Sequence, residues 1–373
     1  MVRAAVMPAP GEPIQVRDFE TPELEPGGAL LETYYSEVCG TDVHLHEGRL
    51  AGVPYPIVPG HLSVGRIVES NGQLTDVEGR TIAVGTDVTF LDVHETCNRC
   101  WHCLVAKATT RCPSRRVYGV TYSAEDGLLG GWAEQIYLKP GVQIVPLPEG
   151  VTPRLAIAGG CALPTAMHAI ERAEIRLGDS VLVQGAGPVG LTVAALALLS
   201  GAGRVWVIDR HQSRLETAET LGIDEAIAID DHQPANHVER LLELSAGRGA
   251  DITIEATGSP AAIPEGIAMT RDGGRYAIVG HYTDAGEISL NPHLDINRKH
   301  LEIRGVWGSE LRHLYRGIGV LARHGATLGG VGGWEQLISR TYSLYQTEQA
   351  LDDVRHGRVV KAVIDPKIRD PST

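Results

Sequence analysis

The chain has 373 residues, 43% of them hydrophobic, enough for about two domains with sizeable cores. A formal net charge of −13 disfavours nucleic acid and anionic membrane as main partners. The N-terminus, MVRAAVMPAPGEP, has no apolar run of signal-peptide length, so a cytoplasmic protein is expected, and in that reducing compartment its six cysteines point to metal rather than disulfides.

Residues 1 to about 38 read as β-rich, with a strand at 30–35 and Pro8, Pro10, Pro13, Pro22 and Pro26 punctuating the turns. CGTDVH, residues 39–44, comes next. A thiolate at the start of a helix suits zinc, because the helix N-terminus favours its negative charge. Cys39 is placed there, and Thr41 would set a hydroxyl beside the metal. Asp42 would hold a histidine ligand in one tautomer. His44 would pass a proton to solvent or be an ordinary surface histidine. His61 follows Gly60 and precedes a strand at 64–68; alone it reads as structural, but paired with Cys39 and Cys161 it reads as a second ligand.

Cys97, Cys100 and Cys103 are spaced by two residues, and Cys112 follows. Four thiolates make a closed tetrahedral zinc set with no open position, hence a structural site. GGWAEQIYL, residues 130–138, reads as a strand, and Cys161 opens a helical segment within 159–170.

The apolar run at 181–183 is that of a buried parallel strand, and Gly185-x-Gly187-x-x-Gly190 follows it, with Pro188 and Val189 inside the motif. The first glycine makes a tight turn, the second lets backbone approach a pyrophosphate, and the third lets helix and strand pack closely. Residues 191–200 are uncharged and helical, so the free N–H groups of that helix point at the phosphates. A second strand at 205–208 ends on Asp209, 19 residues after Gly190, where an acid reaches ribose hydroxyls. Such a carboxylate favours NAD over NADP because it repels a 2′-phosphate. Arg210 beside it is the residue that would accommodate that phosphate, and Arg214 lies over the adenosine side or on a solvent-exposed helix face. Residues 181–203 carry no charge, but Gly185, Gly187 and Pro188 interrupt them too early for a membrane span.

Strands and helices alternate beyond Asp209, predicting helices at 210–222 and 237–246 and strands at 225–229, 250–258, 273–282 and 301–309. That alternation means a doubly wound parallel sheet, whose ligands sit at the strands' C-terminal ends. Thr257, Val279, His281 and Trp307 are thereby expected beside the nicotinamide, His281 either meeting substrate or doing nothing there. The tail predicts a helix at 310–324, a Gly-rich loop at 325–333, a helix at 346–356 and a last strand over RVVKAVID.

CGTDVH, GH-x-x-x-G, the cysteine cluster and the central GxGxxG, in this order along essentially the whole chain, resemble the zinc-containing medium-chain alcohol dehydrogenases. The resemblance implies an α/β fold: a Rossmann domain (157–307) inserted into a β-rich, GroES-like catalytic domain (1–156 and 308–373) with a structural-zinc lobe at about 94–114. It implies two zinc ions, NAD, a site in the cleft between the domains, and a homodimer or homotetramer. Cys161 becomes the third catalytic ligand, so that Cys39, His61 and Cys161 leave the fourth zinc position open. Thr41 would relay the alcohol's proton through the cofactor ribose to His44, Lys361 would touch the pyrophosphate, and Val93 and Trp132 would wall the substrate pocket or simply pack the core.

Two departures stand out. Leu62 replaces the glutamate of the family's GHE, a carboxylate lying near the zinc, and the gap before Cys112 is eight residues where seven is usual, which should bulge the loop and keep the ligand. The expected activity is hydride transfer between an alcohol, secondary rather than polyol, and NAD. The rivals are a zinc-free enone or quinone reductase of the same superfamily, which lacks the ligand triad, a non-catalytic NAD-binding sensor, and a zinc-stabilised interaction protein.

Overall fold

The computed structural model describes residues 1–230, 236–326 and 333–369. The chain forms two compact units: Met1–Cys161 with Glu310–Gly325 and Glu335–Thr373, and Ala162–Ser309 with Ala326–Trp334.

The first unit is built on the ten-residue strand Ala29–Val38. Its inward side chains Ala29, Leu31 and Thr33 are fully buried, while Glu32 and Tyr34 turn outward, the period-2 pattern of a half-buried strand. It pairs antiparallel with Ser63–Ser70, Gln135–Leu138 and Lys361–Ile364. The sheet runs on from Ser63–Ser70 through Asp87–Phe90 to Ile144–Pro146, and from Lys361–Ile364 to the parallel strand Ile338–Tyr342. Leu31, Ile67, Val88, Phe90, Tyr118 and Ile136 form the centre of its core. The strand expected at 130–138 begins only at Gln135, because Gly130 and Gly131 lie against the backbone of Val58 and Gly60, where no side chain fits.

The second unit is a six-stranded sheet in the order Glu225–Ala228, Arg204–Asp209, Ser180–Gln184, Ala250–Glu255, Thr270–Ile278, Glu302–Gly305. Every pair is parallel. The order is that of a dinucleotide-binding doubly wound sheet, whose reversal point lies at the C-terminal end of the first strand, here Ser180–Gln184. Helix Pro188–Leu199 follows that strand, and its Leu191, Val193, Ala194 and Ala197 are fully buried. Burying a Leu or Val side chain contributes about 1.5–3 kcal/mol, which accounts for a helix with no charged residue.

Helices Gln212–Thr220, Asn236–Leu244, Leu311–His324 and Thr347–Arg355 fall where the alternation predicts them, one or two residues shorter at most ends. Residues 327–332 of the expected Gly-rich loop lie outside the described residues. Among the described residues no helix is long and apolar enough to cross a membrane.

Candidate metal and cofactor sites

Cys39 is the N-cap of the short helix Gly40–His46. Its Sγ accepts the Thr41 N–H at 3.3 Å, and Asp42 Oδ2 accepts the Cys39 N–H at 2.8 Å, a reciprocal cap that fixes the thiol at the helix start. His61 follows the turn at Gly60 and brings its Nε2 to 3.8 Å from Cys39 Sγ. Cys161 precedes helix Ala162–Ala173, and its N–H donates to Glu37 Oε2 at 2.6 Å. One ligand atom each from Cys39, His61 and Cys161 lie within 4.8 Å of one another.

The three donors perturb one another strongly. The Cys39 thiol is held well below its ordinary range, first by its hydrogen bond with Cys161, against burial, and then by His61. Cys161 is pushed well above its range by Cys39 and by burial. Burial opposes a charge on His61, yet the Cys39 thiolate raises its imidazole well above the ordinary value. Two soft sulfurs and one imidazole fit zinc, and three protein donors leave a fourth position.

The expected hydrogen bond from Asp42 to His61 is not formed. Oδ2 caps Cys39 instead, and Asp42 Oδ1 and His61 Nδ1 are both buried without a hydrogen-bond partner among the described residues. Burial, then the Cys39 charge, push the Asp42 carboxyl up to about 8, while His61 pulls it down. Asp92, raised by burial and lowered by His61, is a further acid in the field of that imidazole. Thr41 and His44 both belong to helix Gly40–His46, and His44 is half-buried and lowered by burial and by Arg49. Trp132 has no exposed surface; its Nε1–H donates to the Glu37 carbonyl at 3.1 Å, so it packs the core under the site. Val93 is buried in the two-residue strand Val93–His94.

Lys361 lies elsewhere than expected. Its side chain is fully buried, and Nζ pairs with Glu37 Oε1 at 2.6 Å and reaches the Gly159 carbonyl at 3.4 Å. An ammonium consumed by an internal carboxylate is not presented to a cofactor pyrophosphate.

The cysteine lobe brings the sulfurs of Cys97, Cys100, Cys103 and Cys112 within 4.8 Å of one another. Cys100 Sγ and Cys103 Sγ are 3.5 Å apart across the turn Trp101–Leu104, and the Cys97 N–H donates to Cys112 Sγ at 3.3 Å. The backbone N–H of Arg99 lowers Cys97 to about 6, while burial and then Cys100 raise Cys103 to about 12. The longer gap before Cys112 is taken up by a left-handed residue, Lys107 at φ 52°, and the turn Thr109–Arg111. The Thr109 hydroxyl and the Thr110 N–H both donate to the Glu310 carboxylate and tie the lobe down.

In the second unit the Gly loop joins Ser180–Gln184 to Pro188–Leu199, with Gly187 as N-cap and Pro188 as the first helical residue, followed by Val189. Gly185 has φ +98°, and a Cβ on Gly190 would overlap the Gly185 carbonyl, so both must be glycine. Asp209 is buried at the end of Arg204–Asp209; Oδ2 accepts the Ala186 N–H at 2.6 Å and Oδ1 the His211 N–H at 2.7 Å. Arg210 is exposed, whereas Arg214 is half-buried, lowered by burial against the pull of Asp209, with its guanidinium beside Gly187.

Thr257, Val279 and His281 are gathered by a residue not singled out as a site residue from the sequence. Glu255 is fully buried; Oε1 accepts the Thr257 N–H (2.6 Å), the Thr257 hydroxyl (2.7 Å) and the Gly258 N–H (2.7 Å), and Oε2 accepts the Gly280 N–H (3.1 Å). Its backbone carbonyl accepts the Val279 N–H, and His281 Nε2 lies 3.8 Å from Oε2. An acid at a strand's C-terminal end followed by ATG was the available signal. Trp307 stacks on Tyr282, with ring centres 5.7 Å apart, and donates Nε1–H to the Tyr282 carbonyl at 3.1 Å.

Residues 25–149 match the alcohol dehydrogenase GroES-like domain family, and residues 188–323 match the zinc-binding dehydrogenase family. The 5-exo-hydroxycamphor dehydrogenase of Pseudomonas putida is 34% identical over 97% of this chain and 98% of its own length. The D-arabinitol dehydrogenase 1 of Uromyces fabae is 27% identical over 94% and 95%, and the L-threonine 3-dehydrogenase of Bacillus licheniformis 28% over 97% and 98%. Among solved structures, an alcohol dehydrogenase from Thermotoga maritima superposes with a TM-score of 0.91 at 28% identity, covering 98% of this chain and 99% of that one. A zinc-binding dehydrogenase fold from Sinorhizobium meliloti, solved with NADP, gives a TM-score of 0.84 at 25% identity, covering 98% and 99%. With two zinc donor sets and a nucleotide-binding Rossmann-type sheet, the chain belongs to the zinc-binding medium-chain alcohol dehydrogenase family and is a zinc-dependent, NAD(P)-binding oxidoreductase.

Proposed function

We propose that the chain oxidises a secondary alcohol to a ketone with NAD as hydride acceptor. The observation that carries this reading is the convergence of Cys39, His61 and Cys161, three donors rather than four. When bound, zinc supplies the Lewis acidity and the nicotinamide the redox chemistry.

Cys39, His61 and Cys161 would hold the metal, three donors rather than four, so that the substrate oxygen could join them. The Thr41 hydroxyl takes the substrate proton. His44, three residues on and so on the same helical face, takes it from there to solvent. Burial keeps the His44 imidazole neutral and therefore able to accept. Gly185, Gly187, Pro188, Val189 and Gly190 cradle the pyrophosphate, with Arg214 beside Gly187 on the adenosine side. Thr257, Val279, His281 and Trp307 would line the nicotinamide end of the cofactor site. Lys361 has no part in this assignment, because its charge is spent on Glu37.

Asp209 supports NAD. Two backbone N–H groups fix its carboxylate beside the Gly loop, where a 2′-phosphate would meet it, although exposed Arg210 offers a partial counter-charge. The substrate class is supported by two of the relatives: hydroxycamphor and threonine carbon 3 each carry a secondary hydroxyl outside a polyol, and the hydroxycamphor enzyme is 34% identical. A homodimer or homotetramer is proposed on the family resemblance, and sedimentation velocity would test it.

The test is cofactor reduction with a panel of alcohols, run with NAD and with NADP. Bicyclic and monocyclic secondary alcohols should give the highest kcat/KM, with NAD. A polyol or primary alcohol in first place, or NADP ahead of NAD, would overturn the corresponding part.

A further inference from the structure

Beneath the catalytic donor trio lies a buried charge pair that the proposed chemistry does not use. Glu37 and Lys361 are each 1% exposed, and Oε1 and Nζ are 2.6 Å apart. They are 324 residues apart in the chain and meet because Lys361–Ile364 pairs antiparallel with the end of Ala29–Val38.

Glu37 touches the backbone next to all three donors. It lies near the end of strand Ala29–Val38, two residues before Cys39, the N-cap of the helix that follows. Its N–H donates to the Leu62 carbonyl, one residue after His61, at 3.1 Å. Its Oε2 accepts the N–H of Cys161 itself at 2.6 Å. Lys361 holds the other carboxylate oxygen and reaches the Gly159 carbonyl, two residues before Cys161. Gly160, at φ +51°, lies against both groups; any Cβ there would overlap the carboxylate and the ammonium. The segment carrying Cys161 is thus pressed onto the pair with no space between.

We propose that Glu37 and Lys361 are positioning residues that aim Cys161 at the metal. The pair is neutral as a whole, so it can orient a thiolate ligand without adding net charge beside it. Leu62, buried next to His61, brings no carboxylate to the site, whereas Glu37 brings one to the backbone of Cys161. Groups that orient metal ligands typically change metal affinity by about 10–100-fold when removed.

The inference rests on the catalytic-zinc reading, and the experiment separates the two. Zinc per chain is measured for the parent, for Glu37→Gln, and for the double variant Glu37→Gln/Lys361→Met, which leaves no buried unpaired ammonium. Each is also loaded with cobalt(II), and its visible thiolate and ligand-field bands are recorded. The parent should hold about two zinc ions per chain and the folded double variant about one. Transfer of the lost ion to a chelator should show about 10–100-fold weaker binding, and the cobalt bands of the remaining ion should be those of the four-thiolate lobe.

A double variant that folds, retains both ions and keeps the parental cobalt spectrum would overturn the proposal. One that loses its fold along with both ions would assign the pair to folding and overturn it as well. A parent holding only one ion would instead remove the catalytic-zinc reading, and this inference with it.

Discussion

Replacing Glu255 by glutamine changes one atom and should loosen the nucleotide unit. The carboxylate is fully buried and serves four donors: three on Oε1 from Thr257 and Gly258, and the Gly280 N–H on Oε2. Glutamine keeps one oxygen for the first three, but as neutral bonds, roughly half as strong as charged ones. Taking about 1.5 kcal/mol, the lower end for a bond to a charged group, that loss sums to about 2 kcal/mol. Across the site the new amide N–H₂ faces the Gly280 N–H. A buried donor left without its acceptor costs about 1–3 kcal/mol, softened here because the same N–H also reaches the Glu255 carbonyl at 3.0 Å.

The total is about 3 kcal/mol, and about 2–4 °C per kcal/mol for a unit of this size makes a fall of about 6–12 °C in Tm. Thr257, Gly258 and Gly280 are the loop residues released, so the dissociation constant of NAD should rise about tenfold, the equivalent of 1.4 kcal/mol. Differential scanning calorimetry and cofactor titration by fluorescence read the two effects. A Tm within about 2 °C of the parent together with an unchanged dissociation constant would refute the reasoning.

Four further outcomes follow from the same geometry. Thr41→Ala should lower kcat by about 10²-fold or more, within the range for a positioned proton acceptor, while zinc content by elemental analysis stays parental. Asp209→Ala removes the carboxylate facing a 2′-phosphate and should shift the NADP/NAD ratio of kcat/KM upward by at least about tenfold, the equivalent of 1.4 kcal/mol. Cys112→Ser breaks the four-thiolate lobe, so one zinc per chain and several degrees of Tm should be lost, and the remaining ion should still support turnover. His94 is held neutral, first by burial, with Nε2 on the Pro140 carbonyl and Nδ1 on the Tyr122 hydroxyl. Its folded pKa lies below the unfolded value of 6.5, so its contribution is present above pH 6.5 and is lost as pH falls toward the folded value. Urea midpoints measured downward from neutral pH should fall less steeply in His94→Gln than in the parent.

What the sequence made legible follows from how far apart the cooperating atoms are. The cap of Cys39 on its own helix, the four thiolates of the lobe and the Gly loop each lie within a short run of residues, where local geometry alone fixes the chemistry. The doubly wound parallel sheet was readable because strands and helices alternate by period, and because an acid ends the second strand. The role of Asp42 was less so: a side chain three residues from Cys39 has two possible partners, the Cys39 N–H and His61, and only the cap angle decides between them. Glu255 was seen as a strand end but not as a hub, since its partners Thr257, Gly258 and Gly280 converge only when two strands lie in register.

Leu62 shows how a motif read position by position misleads. An apolar residue after His61 reads as a missing carboxylate near the zinc. Packing supplies an acid from another direction: Glu37 lies in the strand that leads into Cys39, and its backbone N–H is bonded to Leu62 itself. Burying a lone carboxylate there would cost several kcal/mol, so an acid at position 37 requires a cation, and register places Lys361 within 2.6 Å. That same requirement removes Lys361 from the pyrophosphate role that its place in the sequence suggests. The leucine at position 62 and the burial of Lys361 thus both bear on one carboxylate, that of Glu37. Restoring a glutamate at position 62 alone would put a second carboxylate near a pair already balanced, and should lower thermal stability rather than raise activity.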